Sequence, residues 1–187
     1  MSNKYFKESV FVKSCTKKED FLLDLPAVCF LGRSNVGKST LINLLTSSKR
    51  LMKTSKTPGL TRLINYAVID KSFYICDSPG YGYASLNREH FAKLMDDFLS
   101  SKNLKKVYLL IDSRRLIQEG DLAFADSLKV PYCYIFTKYD KLSGNEKYYL
   151  EKQKKLLDDD KKQYFVVTSV DNSSLDRVRM DIINTVK

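Results

Sequence analysis

The chain has 187 residues, 43% apolar and 29% charged, with 32 Lys and Arg against 22 Asp and Glu for a formal net charge of +10. That describes a folded chain of ordinary domain size and excludes several classes. No apolar run approaches the roughly 20 residues of a membrane span, the opening "MSNKYFKESVFVKSC" lacks the apolar block of a secretion signal, and the four cysteines form no C-x-x-C pair of a metal site. A cytoplasmic, reducing location is expected, with Cys29, Cys76 and Cys133 as core thiols and His90, the single histidine, on a helix surface. The basic excess suits an anionic partner such as RNA as well as it suits a lysine-rich solvated surface.

Along the chain, short β-branched or aromatic runs alternate with longer runs that carry apolar residues at helical spacing. Val10–Cys15 is the first predicted strand, lying in an N-terminal extension (about residues 1–24) as an edge strand. Val28–Leu31 follows, and Lys38–Thr46 is the first helix. Between them, Gly32 to Ser39 fits G-x-x-x-x-G-K-[ST], a loop whose backbone N–H groups wrap a phosphate at the positive end of the following helix. Lys38 is placed to reach the β- and γ-phosphates and the Ser39 hydroxyl to bind Mg²⁺. Gly32, Arg33, Ser34, Asn35, Val36, Gly37, Lys38, Ser39 and Thr40 are thus candidate nucleotide contacts.

Ser47–Arg62 is polar and long for a loop in a compact domain, a length that points to function. Inside it, "TSKTPGLT" supplies Thr61, a candidate second ligand of the metal and a grip on the γ-phosphate. This segment is expected to order with a nucleoside triphosphate and relax with the diphosphate. Gly59, Leu60, Thr61, Arg62 and Leu63 are grouped with the site for that reason. A solvated turn threonine is the alternative reading of Thr61. Leu63–Ile69 and Ser72–Cys76 are the next strands, and the short Asp70-Lys71 link makes them an antiparallel hairpin.

"ICDSPG" puts Asp77 at a strand end, where a carboxylate can hold Mg²⁺ through water, and Gly80 where its N–H can meet the γ-phosphate. Ser78 and Pro79 belong to the same turn. Glu89–Leu99 reads as a helix, Val107–Ile111 as a strand and Gly120–Leu128 as a helix. Arg114 and Arg115 fall just past that strand, either as contacts for a partner's phosphates or as surface ion pairs. Tyr132–Phe136 leads into "FTKYDK", with Thr137, Lys138, Tyr139 and Asp140. Asp140 is placed to accept from the N1–H and 2-amino group of guanine. Adenine offers neither donor, and an unmet buried polar group costs about 1–3 kcal/mol. Lys138 would lay its stem along the base. Glu146–Leu157 and Ser174–Val186 are helices around a last strand, Tyr164–Val167, which leads to Thr168, Ser169 and Val170 as further base contacts. Strands interleaved with helices give an α/β fold with a mostly parallel sheet covered on both faces.

These five elements, in this order, resemble Ras-like P-loop GTPases. "LPAVCFLGRSNVGKSTLINLL", "TPGLTRLINY", "DSPGYGYA", "LLIDSRRLIQEGD" and "FTKYDKLS" together resemble the EngB/YsxC family of bacterial ribosome-biogenesis GTPases, from about Leu25 to the C-terminus. The resemblance implies one three-layer G domain with a six- or seven-stranded mixed sheet. It implies a role in large ribosomal subunit assembly, with rRNA and ribosomal proteins as partners, an association with cell division and septation, and a monomer. Members usually carry an acidic residue near Ala27 and a serine where Thr40 stands; neither touches the phosphate contacts. Most GTPases have asparagine where Thr137 stands, so a looser tether and modest nucleotide affinity are expected.

Tyr81 stands where many GTPases place a water-orienting glutamine, so unassisted hydrolysis should be slow. In related GTPases an asparagine at the place of Asn35 binds a potassium ion bridging the phosphates; the other reading is that Asn35 only shapes the loop. Lys38, Thr61 and Asn35 are the catalytic candidates, and Ser39, Thr61 and Asp77 the magnesium ligands. Lys49, Arg50, Lys53 and Lys56 flank the long loop as a basic rim. A signalling switch with a protein target and an ATP-dependent enzyme reusing the phosphate loop are the competing functions.

Overall fold

A computed structural model describes residues 5–52, 63–78, 80, 88–169 and 171–187. Its strands are β1 (Ser9–Cys15), β2 (Ala27–Gly32), β3 (Ile64–Ile69), β4 (Phe73–Asp77), β5 (Leu104–Asp112), β6 (Tyr132–Thr137) and β7 (Tyr164–Val166). They form one seven-stranded sheet in the order β1-β3-β4-β2-β5-β6-β7. β2 runs parallel to both β4 and β5, and β5–β6 and β6–β7 are parallel too, while β1–β3 and β3–β4 are antiparallel. The helices are α1 (Lys38–Leu45), α2 (Arg88–Leu99), α3 (Glu119–Ser127), α4 (Gly144–Asp159) and α5 (Asn172–Val186).

Every residue of β2 is buried, because side chains of alternate parity enter cores on opposite faces. Val28 and Phe30 join Leu41, Ile42 and Leu45 of α1 and Val178 and Ile182 of α5 on one face. Cys29 and Leu31 join Leu94 and Phe98 of α2, Ala125 of α3 and Leu150 of α4 on the other. A strand wrapped on both sides reads as a continuous apolar run, as β2 does. Cys15, Cys29, Cys76 and Cys133 are all buried thiols, and burial pushes the Cys76 thiol well up from its ordinary range. His90 is exposed on α2.

The hairpin forms at the expected place. Asp70 and Lys71 take φ 49° and 54°, both left-handed, which matches the twist of an antiparallel pair. The Asp70 carboxylate then accepts from the backbone N–H of Phe6 (2.6 Å) and Glu8 (2.8 Å), tying the start of β1 to the hairpin. With β4, β2 and β5 adjacent, the strand order reverses at β2. The crevice beyond its carboxyl end is where open α/β sheets bind ligands.

Candidate nucleotide site

Residues 33–37 turn the chain from the end of β2 into α1, and Gly37 at φ 106° holds a left-handed conformation that any side chain would strain. The ammonium of Lys38 turns back into this loop and donates to the carbonyls of Gly32 (2.9 Å) and Arg33 (3.3 Å). Burial lowers its pKa, against the pull of the Asp77 carboxylate. Ser39, one residue on, donates its hydroxyl to Asp77 Oδ2 at 2.8 Å. Asp77 ends β4, is 3% exposed, and its other oxygen, Oδ1, has no hydrogen-bond partner among the described residues. Burial raises its pKa, and neither Lys38 nor the Ser39 hydrogen bond cancels that. A buried carboxylate oxygen without a partner, beside a hydroxyl, is a hard oxygen pair of the kind magnesium takes.

Gly80 presses on the same loop. A Cβ there would lie 2.8 Å from Ser34 N, 3.0 Å from Gly32 O and 3.1 Å from Arg33 C. The backbone after β4 therefore meets the phosphate loop with no room for a side chain. Ser78 is buried, with its N–H directed at Phe30 O.

The end of β6 is fixed to the loop twice. Thr137 donates to Val36 O at 2.8 Å, and Lys138 donates to Asn35 O at 2.6 Å. The threonine tether to the loop is thus made, and its single proton is spent on it. Lys138 takes φ 60° and starts a short 3-10 turn, Tyr139–Lys141, which carries Asp140 exposed beside the site. Tyr139 is half-buried under the Lys147 ammonium. At the start of α5, Thr168 accepts from Asp171 N at 3.0 Å, while Ser169 is exposed. Leu63, at the start of β3, is half-buried.

Asn35 itself adopts φ 62°, a conformation asparagine tolerates, as the loop-shaping reading requires. Thr40 is exposed on α1, at the edge of a groove between α1 and α5 that Asn43, Asn172 and Arg179 also line. Gly59, Leu60, Thr61, Arg62, Pro79, Tyr81 and Val170 lie outside the described residues, as do Lys53 and Lys56 of the basic rim; Lys49 and Arg50 are exposed. The third magnesium contact, Thr61, is among those not described.

Two residues at the site and two along the helix behind it have no role in the sequence reading. Asp112, at the end of β5, pairs with Arg114 (2.6 Å) and Lys138 (2.9 Å), so Arg114 makes an ion pair within the chain. Asp121 of α3 pairs with Arg33 at 3.0 Å and fixes that side of the loop. Asn43, buried in α1, donates to Met52 O and accepts from Met52 N, clamping the chain at residue 52. Arg179 of α5 donates to Leu44 O and Leu45 O and closes the last turn of α1. A charged residue ending an apolar strand was the one available signal for Asp112; the other three have no local signature.

A family model described as 50S ribosome-binding GTPase matches residues 27–138. Among curated relatives, a probable GTP-binding protein EngB of Fusobacterium nucleatum is 46% identical over 149 residues, 75% of this chain and 77% of that protein. The EngB protein of Mesoplasma florum is 44% identical over 160 residues, 81% of this chain and 79% of that protein. A crystal structure of a probable GTP-binding protein engB superposes with a TM-score of 0.60 at 26% identity, covering 86% of this chain and 98% of that one. The structure of Era with MgGDPNP and a 16S rRNA fragment gives a TM-score of 0.66 at 19% identity, covering 89% of this chain and 58% of that one, a likeness of fold. By these matches the chain belongs to the EngB/YsxC family of P-loop GTPases.

Proposed function

We propose that this chain binds GTP with magnesium, hydrolyses it slowly to GDP and phosphate, and uses the difference between the two states as a switch in large ribosomal subunit assembly. Through that role it would support normal cell division and septation. The observation that carries the reading is Asp77: a buried carboxylate with one unpartnered oxygen, hydrogen-bonded to the serine of a phosphate loop.

Magnesium, when bound, would neutralise charge on the β- and γ-phosphates; Ser39 would ligate it directly and Asp77 through water, with Thr61 as a further ligand. The chain's own groups do the rest. Lys38 exchanges its two loop carbonyls for phosphate oxygens. Gly32 through Thr40 cradle the phosphates with backbone N–H groups, Gly80 adds its N–H to the γ-phosphate, and Thr61, with Gly59, Leu60, Arg62 and Leu63 beside it in the sequence, is assigned to the same phosphate. Asp140 selects guanine, Lys138 covers the base face, and Thr137, Tyr139, Thr168, Ser169 and Val170 complete its rim. Ser78 and Pro79 shape the turn before Gly80. Water is not oriented by a glutamine at Tyr81, so hydrolysis in the range of roughly 10⁻⁴ to 10⁻² s⁻¹ is expected without a partner.

A G domain of similar fold, NFeoB of S. thermophilus, is described as bound to GDP, aluminium fluoride and K⁺. We extend this to Asn35 as a potassium ligand, for which faster turnover in K⁺ than in Na⁺ is the test and equal rates the refutation. Partners are rRNA and ribosomal proteins of the large subunit or its precursor, the chain acting as a cytoplasmic monomer. Among the described residues no helix is long and apolar enough to cross a membrane.

Two measurements test the whole. Titration with GDP, GTP and ATP must show guanine preferred; equal affinity for ATP ends the guanine reading. Gradient fractionation of cell extract with a GTP analogue or GDP must carry the chain with a large-subunit particle in one nucleotide state. Absence from ribosomal particles in both states would favour the switch with a protein target.

A further inference from the structure

The ends of β5 and β6 hold a buried carboxylate, Asp112, paired with Arg114 and Lys138, that the GTPase cycle above leaves without a function. Their parallel register sets Asp112 beside Thr137, so Asp112 lies next to the residue where the chain turns into the base-recognition segment. Its side chain is 8% exposed. Oδ1 accepts from Arg114 Nε (2.9 Å) and from the Arg114 backbone N–H (3.2 Å). Oδ2 accepts from Arg114 Nη2 (2.6 Å) and from Lys138 Nζ (2.9 Å). Lys138 uses a second proton on Asn35 O, at 2.6 Å. Burial alone would raise the Asp112 pKa, but the bonds from Arg114 and Lys138 outweigh it and hold the carboxyl well below its usual range.

One ammonium therefore joins a buried carboxylate to the backbone of the phosphate loop. The lysine stem is stretched between the end of β6 and Asn35, and its backbone is held at φ 60°. A left-handed non-glycine residue costs about 1–2 kcal/mol, so something must keep it there. Charge-assisted hydrogen bonds to a buried carboxylate are of that size or larger. Arg114, 44% exposed, binds both oxygens of the same carboxylate, and among the described residues its hydrogen bonds go to Asp112 alone.

We propose that Asp112 is a positioning residue for the nucleotide: it fixes the Lys138 ammonium on Asn35 O, and through it both the base-covering stem and the far wall of the phosphate loop. This rests on the guanine-nucleotide reading of the site. Because base and β-phosphate are common to GDP and GTP, its loss should weaken both alike and raise KM.

The test is titration of wild type, Asp112→Asn, Arg114→Ala, Lys138→Met and the D112N/K138M pair with GDP and a non-hydrolysable GTP analogue, alongside circular-dichroism melting without nucleotide. D112N is expected to lose roughly 10- to 100-fold in affinity for both ligands, the scale of one charge-assisted bond. R114A should lose less than about 2-fold, and adding D112N to K138M should change affinity by less than about 2-fold. Wild-type affinity in D112N, a loss in R114A equal to that in D112N, or full additivity in the pair each overturns the proposal while the guanine reading stands. A wild type that binds neither ligand overturns both. Should D112N fail to melt cooperatively, Asp112→Glu keeps the charge and displaces it by one methylene, with the same expected loss.

Discussion

Adding one methyl group at Gly80 tests whether the backbone after β4 presses on the phosphate loop. In Gly80→Ala the new Cβ would lie 2.8 Å from Ser34 N, 3.0 Å from Gly32 O and 3.1 Å from Arg33 C. All three are backbone atoms, so no flexible side chain can swing aside, and either the loop or the residue-80 backbone must move. Overpacking of this kind costs about 1–3 kcal/mol, offset by about 0.4–1 kcal/mol from the stiffer unfolded chain. A net loss of about 1–2 kcal/mol lowers the melting temperature by roughly 2–8 °C in a chain of this size. Displacing Ser34 N would also spoil the phosphate contact proposed for it, so GDP affinity should fall about tenfold or more, one charge-assisted bond. Gly144→Ala is the control. It adds the same methyl at the first residue of α4, where nothing lies within 4 Å, and should be neutral or stabilising by up to about 1 kcal/mol. Thermal melts and a fluorescent GDP titration read both variants. If G80A melts as high as G144A and binds GDP like wild type, the close approach inferred for Gly80 is wrong.

Asp140→Asn presents a donor where guanine also donates, so GTP affinity should fall more than about tenfold and XTP affinity rise above that of GTP, read by competition binding. Asn43→Ala removes both hydrogen bonds to Met52 and leaves two buried backbone groups unmet; urea unfolding should show a loss of about 2–4 kcal/mol, and a loss below about 0.5 kcal/mol would mean the clamp is idle. Burial pulls the Asp181 carboxyl up, but hydrogen bonds from Lys106, Tyr108 and Gln163 outweigh it and set its pKa below the ordinary range. Its contribution to stability is therefore complete above the unfolded value of about 3.9 and is lost as pH falls through the lowered folded one. Asp181→Asn should destabilise at pH 7 and flatten the acid limb of a stability–pH curve below pH about 4; an unchanged limb would refute the assignment.

The phosphate side of the site is legible in the sequence because it is contiguous. Gly32 through Ser39 are eight successive residues between a strand and a helix, and their types are dictated by local geometry: a left-handed Gly37, a lysine at the helix start, a serine one residue on. The hairpin is legible for the same reason, since the turn is three successive residues, 70–72, with Asp70 and Lys71 left-handed and Ser72 N–H closing on Ile69 O. Sheet order beyond that followed from alternation and from the resemblance. What stayed hidden depends on register. Nothing near Asp112 announces Lys138, 26 residues away, until β5 and β6 pair in parallel and set Asp112 against Thr137. Arg179 reaches Leu44 and Leu45 O across 135 and 134 residues, visible only when α5 lies against α1.

That division has a consequence for how the two halves of the site can change. Asp77, Ser39 and Lys38 are constrained by one another: a buried carboxylate with an unpartnered oxygen tolerates little besides a hydroxyl, an ammonium or a cation beside it. The base side is held instead through Asn35 and Val36, whose carbonyls accept from Lys138 and Thr137 in consecutive positions of both segments. Carbonyl acceptors do not depend on side-chain identity, so any donor of suitable reach at 137 can make this tether. A threonine there keeps the bond to Val36 O and gives up a second donor, while Asp112 secures its neighbour. Loss of the asparagine usual at that place thus costs the loop little, and the load on the base side shifts to Lys138 and the carboxylate behind it.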